Sequence, residues 1–92
     1  MRWYNTNRIW IEQTSAGAKT WRSITSSLNG EKLAAVVEYS GYIYTSSDSG
    51  ETWTQRTSSG SRNWVSISSS SDGVKLAAVV YDGFIYTSID SG

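Results

Sequence analysis

The 92-residue chain contains no cysteine, no histidine and no proline. Without cysteine no disulfide can brace the fold, and the sequence carries no sign of a redox compartment. Without histidine the commonest metal ligand and general base is missing, and with it every Ser-His or Cys-His catalytic arrangement. Eight basic and eight acidic residues give zero net charge. They stand singly, so no basic run points to nucleic acid or to an anionic membrane. No apolar stretch approaches the roughly 20 residues of a membrane-spanning helix. The opening MRWYNTNRIW has no apolar core of the kind a signal peptide needs, so none is expected in the sequence as it stands. A single domain of this size buries only a modest core. Disulfides, a histidine-ligated metal site and a large interior are thus excluded as supports, and association of chains is left.

What the chain does have is Ser, Thr and β-branched residues, with 13% aromatics. The aromatics argue against disorder, and the mixture points to an all-β protein with short turns. It also repeats itself. WRSITSSLNGEKLAAVVEYSGYIYTSSDSG from Trp21 aligns with WVSISSSSDGVKLAAVVYDGFIYTSIDSG from Trp64, with 21 of 29 positions identical and one gap at Glu38. The preceding segments, WIEQTSAGAKTW from Trp10 and WTQRTSSGSRNW from Trp53, share both tryptophans, a Thr-Ser pair and a glycine. The chain divides into an overhang at 1–7 and two repeats, about 8–50 and 51–92, of 43 and 42 residues.

Each repeat reads as four short strands. KLAAVV (32–37 and 75–80) is apolar on both faces, as in a strand covered on both sides. IYTS segments follow, and WRSITS and WVSISS precede. TWTQRT is the most polar and suits a solvent-facing edge. Asn29-Gly30 and Asp72-Gly73 mark one turn, and Tyr39-Ser40-Gly41 and Tyr81-Asp82-Gly83 the next. A four-stranded unit of this length that cannot bury its own faces predicts a β-propeller blade. A small two-sheet sandwich is the alternative.

The segment SSDSGETW places Ser46, Asp48, Gly50 and Trp53 in the spacing Ser-x-Asp-x-Gly-x-x-Trp. On this motif and its flanking strands, the chain resembles the Asp-box (BNR, sialidase-type) repeat family of β-propellers over essentially its whole length. The resemblance implies that the box is the hairpin between a blade's third and fourth strands. It further implies that the motif stabilises a turn on the periphery, away from an active face. Ser88, Asp90 and Gly92 begin a second copy, and Trp10 begins the segment that would complete one; Trp3, Asn5 and Asn7 stand in a degenerate copy before it. A single carboxylate per repeat is too few for a calcium site, which takes six to eight oxygens. No metal or cofactor is expected.

Two blades do not close a ring. The sequence therefore predicts two four-stranded blades per chain, circularly permuted so that the fourth strand comes first, with the ring completed by oligomerisation. The strand at about 9–14 of one copy is expected to pair with FIYTS (84–88) of the next, head to tail. A homotrimer gives six blades, the number the resemblance favours, and a homotetramer gives eight. The near identity of the repeats also suits a piece cut from a longer propeller.

The chemistry implied by sialidases needs an arginine triad, a Tyr/Glu nucleophile pair and an acid/base Asp. Arg2, Arg8, Arg22, Arg56 and Arg62 stand in no such context, and the chain is read as non-catalytic. A structural or binding scaffold is expected. The alternative is a carbohydrate-binding lectin with repeated sites between blades, built from Trp21, Trp64, Tyr39, Tyr81, Lys19 and Arg62; packing of both tryptophans between blades competes with it.

Overall fold

The computed structural model describes residues 10–92; the overhang at 1–7, with Trp3, Asn5 and Asn7, lies outside them. The described residues form seven β-strands and no helix. The first sheet is an antiparallel meander of β1 (Trp21–Ser26), β2 (Leu33–Val37), β3 (Ile43–Ser46) and β4 (Thr54–Arg56), hydrogen-bonded in chain order. The second holds β5 (Trp64–Ser69), β6 (Leu76–Val80) and β7 (Ile85–Ser88), also in chain order. Short connections make this inevitable, because hairpin loops of a few residues leave each strand nowhere to pair but beside its predecessor. Residues 10–14, expected to be extended and to pair with another copy, belong to neither sheet.

The two sheets repeat one another in register. Ala35 pairs with Ile24 and Tyr44 in the first, and Ala78 with Ile67 and Tyr86 in the second. The same irregularity recurs at the start of each sheet's first strand, between Trp21 and Ser23 and between Trp64 and Ser66. It follows from matched sequence, Trp-x-Ser in both.

The β1–β2 and β5–β6 turns are built alike from Ser-x-Asx-Gly. Ser27 Oγ donates to Asn29 Oδ1 at 2.8 Å and accepts from Lys32 N at 3.1 Å. Ser70 Oγ donates to Asp72 Oδ1 at 2.6 Å and accepts from Lys75 N at 3.0 Å. The side chains thus satisfy backbone groups that the bend takes out of the ladder. At the β2–β3 turn Tyr39 and Ser40 both take positive φ, 61° and 63°, whereas the shorter β6–β7 turn places only Asp82 there, at 53°. The one-residue difference between the repeats is absorbed at that bend.

The sheets stack through β1 and β2 against β5. Period-two alternation decides which side chains meet. Ala34 and Val36 of β2 and Ile43 of β3 point to the second sheet; Trp64, Ile67, Leu76 and Ala78 point back, and these seven form one buried cluster. Trp64 is completely buried, with the Tyr86 ring edge-on to it at 5.3 Å. Its Nε1 finds no acceptor among the described residues, whereas Nε1 of the equivalent Trp21 donates to Gly17 O at 3.2 Å.

Backbone and side-chain bonds fix the two edges of this contact. At one end Arg62 and Gly41 exchange N–H···O bonds of 2.9 and 3.0 Å, and Tyr39 N donates to Asn63 Oδ1 at 3.1 Å. At the other, Leu28 N donates to Ser71 O at 2.7 Å and Ser69 Oγ to Ser26 O at 2.9 Å.

Candidate functional site

The hairpin joining β3 to β4 is organised by Ser46 and Asp48. Ser46 Oγ donates to Asp48 Oδ1 at 2.8 Å and accepts from Gly50 N at 2.8 Å. The carboxylate then receives Thr52 N on Oδ1 at 2.9 Å and Thr52 Oγ1 on Oδ2 at 2.6 Å. Trp53 closes the bend: its Nε1 donates to Gly50 O at 2.8 Å, with its ring beside Trp21 at 6.4 Å. Two successive residues, Ser49 and Gly50, are left-handed at φ 64° and 98°. The glycine pattern in the sequence pointed to only one of them.

Thr52's hydroxyl above all, then its N–H, and then the Ser46 hydroxyl hold the Asp48 carboxyl down to about 2. All these bonds favour the charged form, since each donates to the carboxylate. Asp72 is lowered in the same way, chiefly by the Ser70 hydroxyl and the Val74 N–H. Carboxyls held as anions by their own turns carry no proton to donate at neutral pH. Among the described residues no group of three or more His, Cys, Asp or Glu side chains gathers to hold a metal ion.

The second copy reproduces the first half of this arrangement. Ser88 Oγ donates to Asp90 Oδ1 at 2.8 Å and accepts from Gly92 N at 2.8 Å, and Ser91 and Gly92 are left-handed like Ser49 and Gly50. Ser46 and Ser88 therefore build one turn twice.

The residues considered for sugar binding do not converge. Trp64 is sealed between the sheets. Trp21 lies on the far face of the first sheet against Tyr44 and Trp53. Tyr39 and Tyr81 are exposed, one on the β2–β3 turn and one on the β6–β7 turn. Lys19 lies over the Tyr44 ring and Arg62 over the Tyr86 ring, at 5.4 and 4.6 Å. Each cation thus covers an aromatic of its own sheet, an equivalent contact in both repeats.

The largest chemical feature is a pair of uncovered faces. Trp64 is 0% exposed, but its equivalent Trp21 is 36% exposed; Ile67 is 6% exposed and its equivalent Ile24 61%. On the opposite side Ile43 is 8% exposed and its equivalent Ile85 70%. The far face of the first sheet thus presents the side chains that the second sheet buries. The far face of the second presents those that the first buries. Sequence reading singled out neither Ile24 nor Ile85, although their identity to Ile67 and Ile43 was a usable signal.

No family model, curated protein or solved structure matches the chain.

Proposed function

We propose that the chain is a non-catalytic scaffold: two blades of an Asp-box type β-propeller that assemble head to tail into a closed homo-oligomer. The carrying observation is the inverse exposure of equivalent residues. The contact between the sheets is heterologous, because the Ala34–Val36–Ile43 face meets the Trp64–Ile67–Ala78 face. Each outer sheet surface carries exposed members of the half that would fit a further copy: Trp21 and Ile24 on one, Ala77 and Ile85 on the other. A two-layer sandwich buries one face of each sheet and leaves the other polar. Here each outer face exposes large apolar side chains, Trp21 and Ile24 on one and Ile85 on the other, which favours continued stacking and marks them as association surfaces. A heterologous contact repeated by a rotation that closes yields a ring.

The N-terminal segment supports the same direction of assembly. Gln13 Cγ lies near Gly50 just as Arg56 Cγ lies near Gly92, 3.5 and 3.6 Å from a Cβ built on each glycine. Ser15 Oγ also donates to Glu51 O at 2.7 Å. Residues 13–15 therefore stand beside the first sheet as 56–58 stand beside the second. In that position they are a whole repeat away from β7 of their own chain. Pairing of residues 11–13 with β7 requires a neighbouring copy. Three copies give six blades, the arrangement favoured here, and four give eight.

Light scattering of the chain across a concentration series tests the reading. A species of three times the 10.1 kDa chain mass is expected, and a folded monomer at every concentration would end it. A glycan-binding screen of the assembled species separates the scaffold from a lectin, the scaffold giving no specific binding.

A further inference from the structure

The second sheet carries a cavity of about 410 Å³, lined by Arg56, Ser59, Ile67, Ala78, Tyr86 and Gly92 among others. The repeat equivalents of four of these residues, Gln13, Ala16, Ile24 and Ala35, line a single hollow in the first sheet together with Trp53. Gly50, the equivalent of Gly92, accepts the Trp53 Nε1 hydrogen bond. The cavity in the second sheet therefore corresponds to the hollow that the indole of Trp53 walls in the first, but has no tryptophan in its lining. The one tryptophan at the matching repeat position is Trp10, and it is 100% exposed.

We propose that Trp10 of a second copy inserts into this cavity and is the anchor of the joint between copies; the inference rests on the head-to-tail reading above. Its indole lies over Gly92, with Nε1–H donating to the main-chain oxygen of that residue as Trp53 does to Gly50. An apolar wall of Ile43, Ile67 and Ala78 covers the ring, and the hydrogen bond satisfies the one polar atom that insertion removes from water. Insertion also fixes the register. Thr45 pairs with Thr54, Tyr44 with Gln55 and Ile43 with Arg56. Transferred to the joint, Ile11, Glu12 and Gln13 of the incoming copy lie opposite Thr87, Tyr86 and Ile85. The edge strand β7 thereby gains the partner that β3 has in β4.

Buried aromatic anchors of interfaces lose at least about thirty-fold in affinity on truncation to alanine. Trp10→Ala is accordingly expected to raise the dissociation constant of the assembly by that factor, with Trp10→Phe in between. The second arm adds a synthetic peptide of residues 8–14 to the full-length Trp10→Ala chain at a concentration where that chain is monomeric. The peptide is expected to shift the amide resonances of Arg56, Tyr86 and Gly92, and the same peptide with alanine for Trp10 is not. If the peptide leaves those resonances unmoved, or if Trp10→Ala assembles as tightly as the unaltered chain, the insertion is refuted while assembly through the sheet faces stands. If the unaltered chain stays monomeric yet its variant binds the peptide, the assembly reading fails and the socket is upheld.

Discussion

Replacing Ile85 by alanine separates the proposed joint from the fold itself. Full burial of an isoleucine side chain contributes about 1.5–3 kcal/mol. Ile85 is 70% exposed in the single chain, so roughly two-thirds of that burial remains to be gained, or about 1–2 kcal/mol per joint. The dissociation constant should therefore rise by about five- to thirty-fold. The equivalent change at Ile43, which is 8% exposed, acts inside the chain and should cost about 2–5 kcal/mol of folding stability, as buried isoleucine-to-alanine changes do. Sedimentation equilibrium measures the first, and denaturant unfolding at a concentration that keeps the chain monomeric measures the second. Ile85→Ala is expected to weaken association with little effect on monomer unfolding, and Ile43→Ala to show the reverse emphasis. An Ile85→Ala chain that associates as tightly as the parent would refute the equivalence of the two faces. So would one whose monomer is destabilised as much as that of Ile43→Ala.

Removing the Thr52 hydroxyl with Thr52→Val should move the Asp48 carboxyl up from about 2 toward its ordinary value of 3.8, read from its carbon chemical shift during an acid titration. The sign of the stability effect follows from linkage. The folded value lies below the unfolded one, so this contribution is complete above about pH 3.8 and is lost as pH falls through about 2. Acid unfolding curves of Thr52→Val should accordingly be flatter across that window. Gly41→Ala places a Cβ well inside contact distance of Val37 Cβ and Cγ1, and overpacking of this kind costs about 1–3 kcal/mol. For a domain of this size each kcal/mol lowers Tm by about 4–8 °C, which calorimetry resolves. Arg22→Ala breaks the 2.9 Å pair with Glu38, but Arg22 is half exposed, so the change in unfolding free energy should stay within about 1 kcal/mol.

Much of the local structure was legible because its causes are local. Turn chemistry and hydrophobic patterning placed the seven observed strands to within about two residues: 32–37 was expected where Leu33–Val37 is found, and IYTS at Ile43–Ser46. The strand expected at about 9–14 has no partner within the chain, and its described residues 10–14 join neither sheet. The Asp48 turn was legible through the resemblance of its spacing to the Asp-box, a motif whose partners all lie within six residues here. The matching serines at the β1–β2 and β5–β6 turns, Ser27 and Ser70, carry a signal that Asn-Gly and Asp-Gly masked. Asn-Gly and Asp-Gly drew attention to the glycine, not to the hydroxyl two residues before the Asn or Asp. Residues suggested for a ligand share a type and a place at strand ends, turns and connections, and neither reveals that Trp64 is enclosed while its twin Trp21 is partly open.

The sequence by itself determined the all-β class, the two-fold repetition and the places of the strands and turns. These depend on contacts between near neighbours along the chain, which composition and spacing specify. Only the tertiary structure decided which face of one repeat meets which face of the next. Ile24 and Ile67, or Ile43 and Ile85, are chemically the same residue at the same register, and nothing local distinguishes them. Stacking of the two sheets gives each pair one buried and one exposed member, and the exposed members carry the case for assembly.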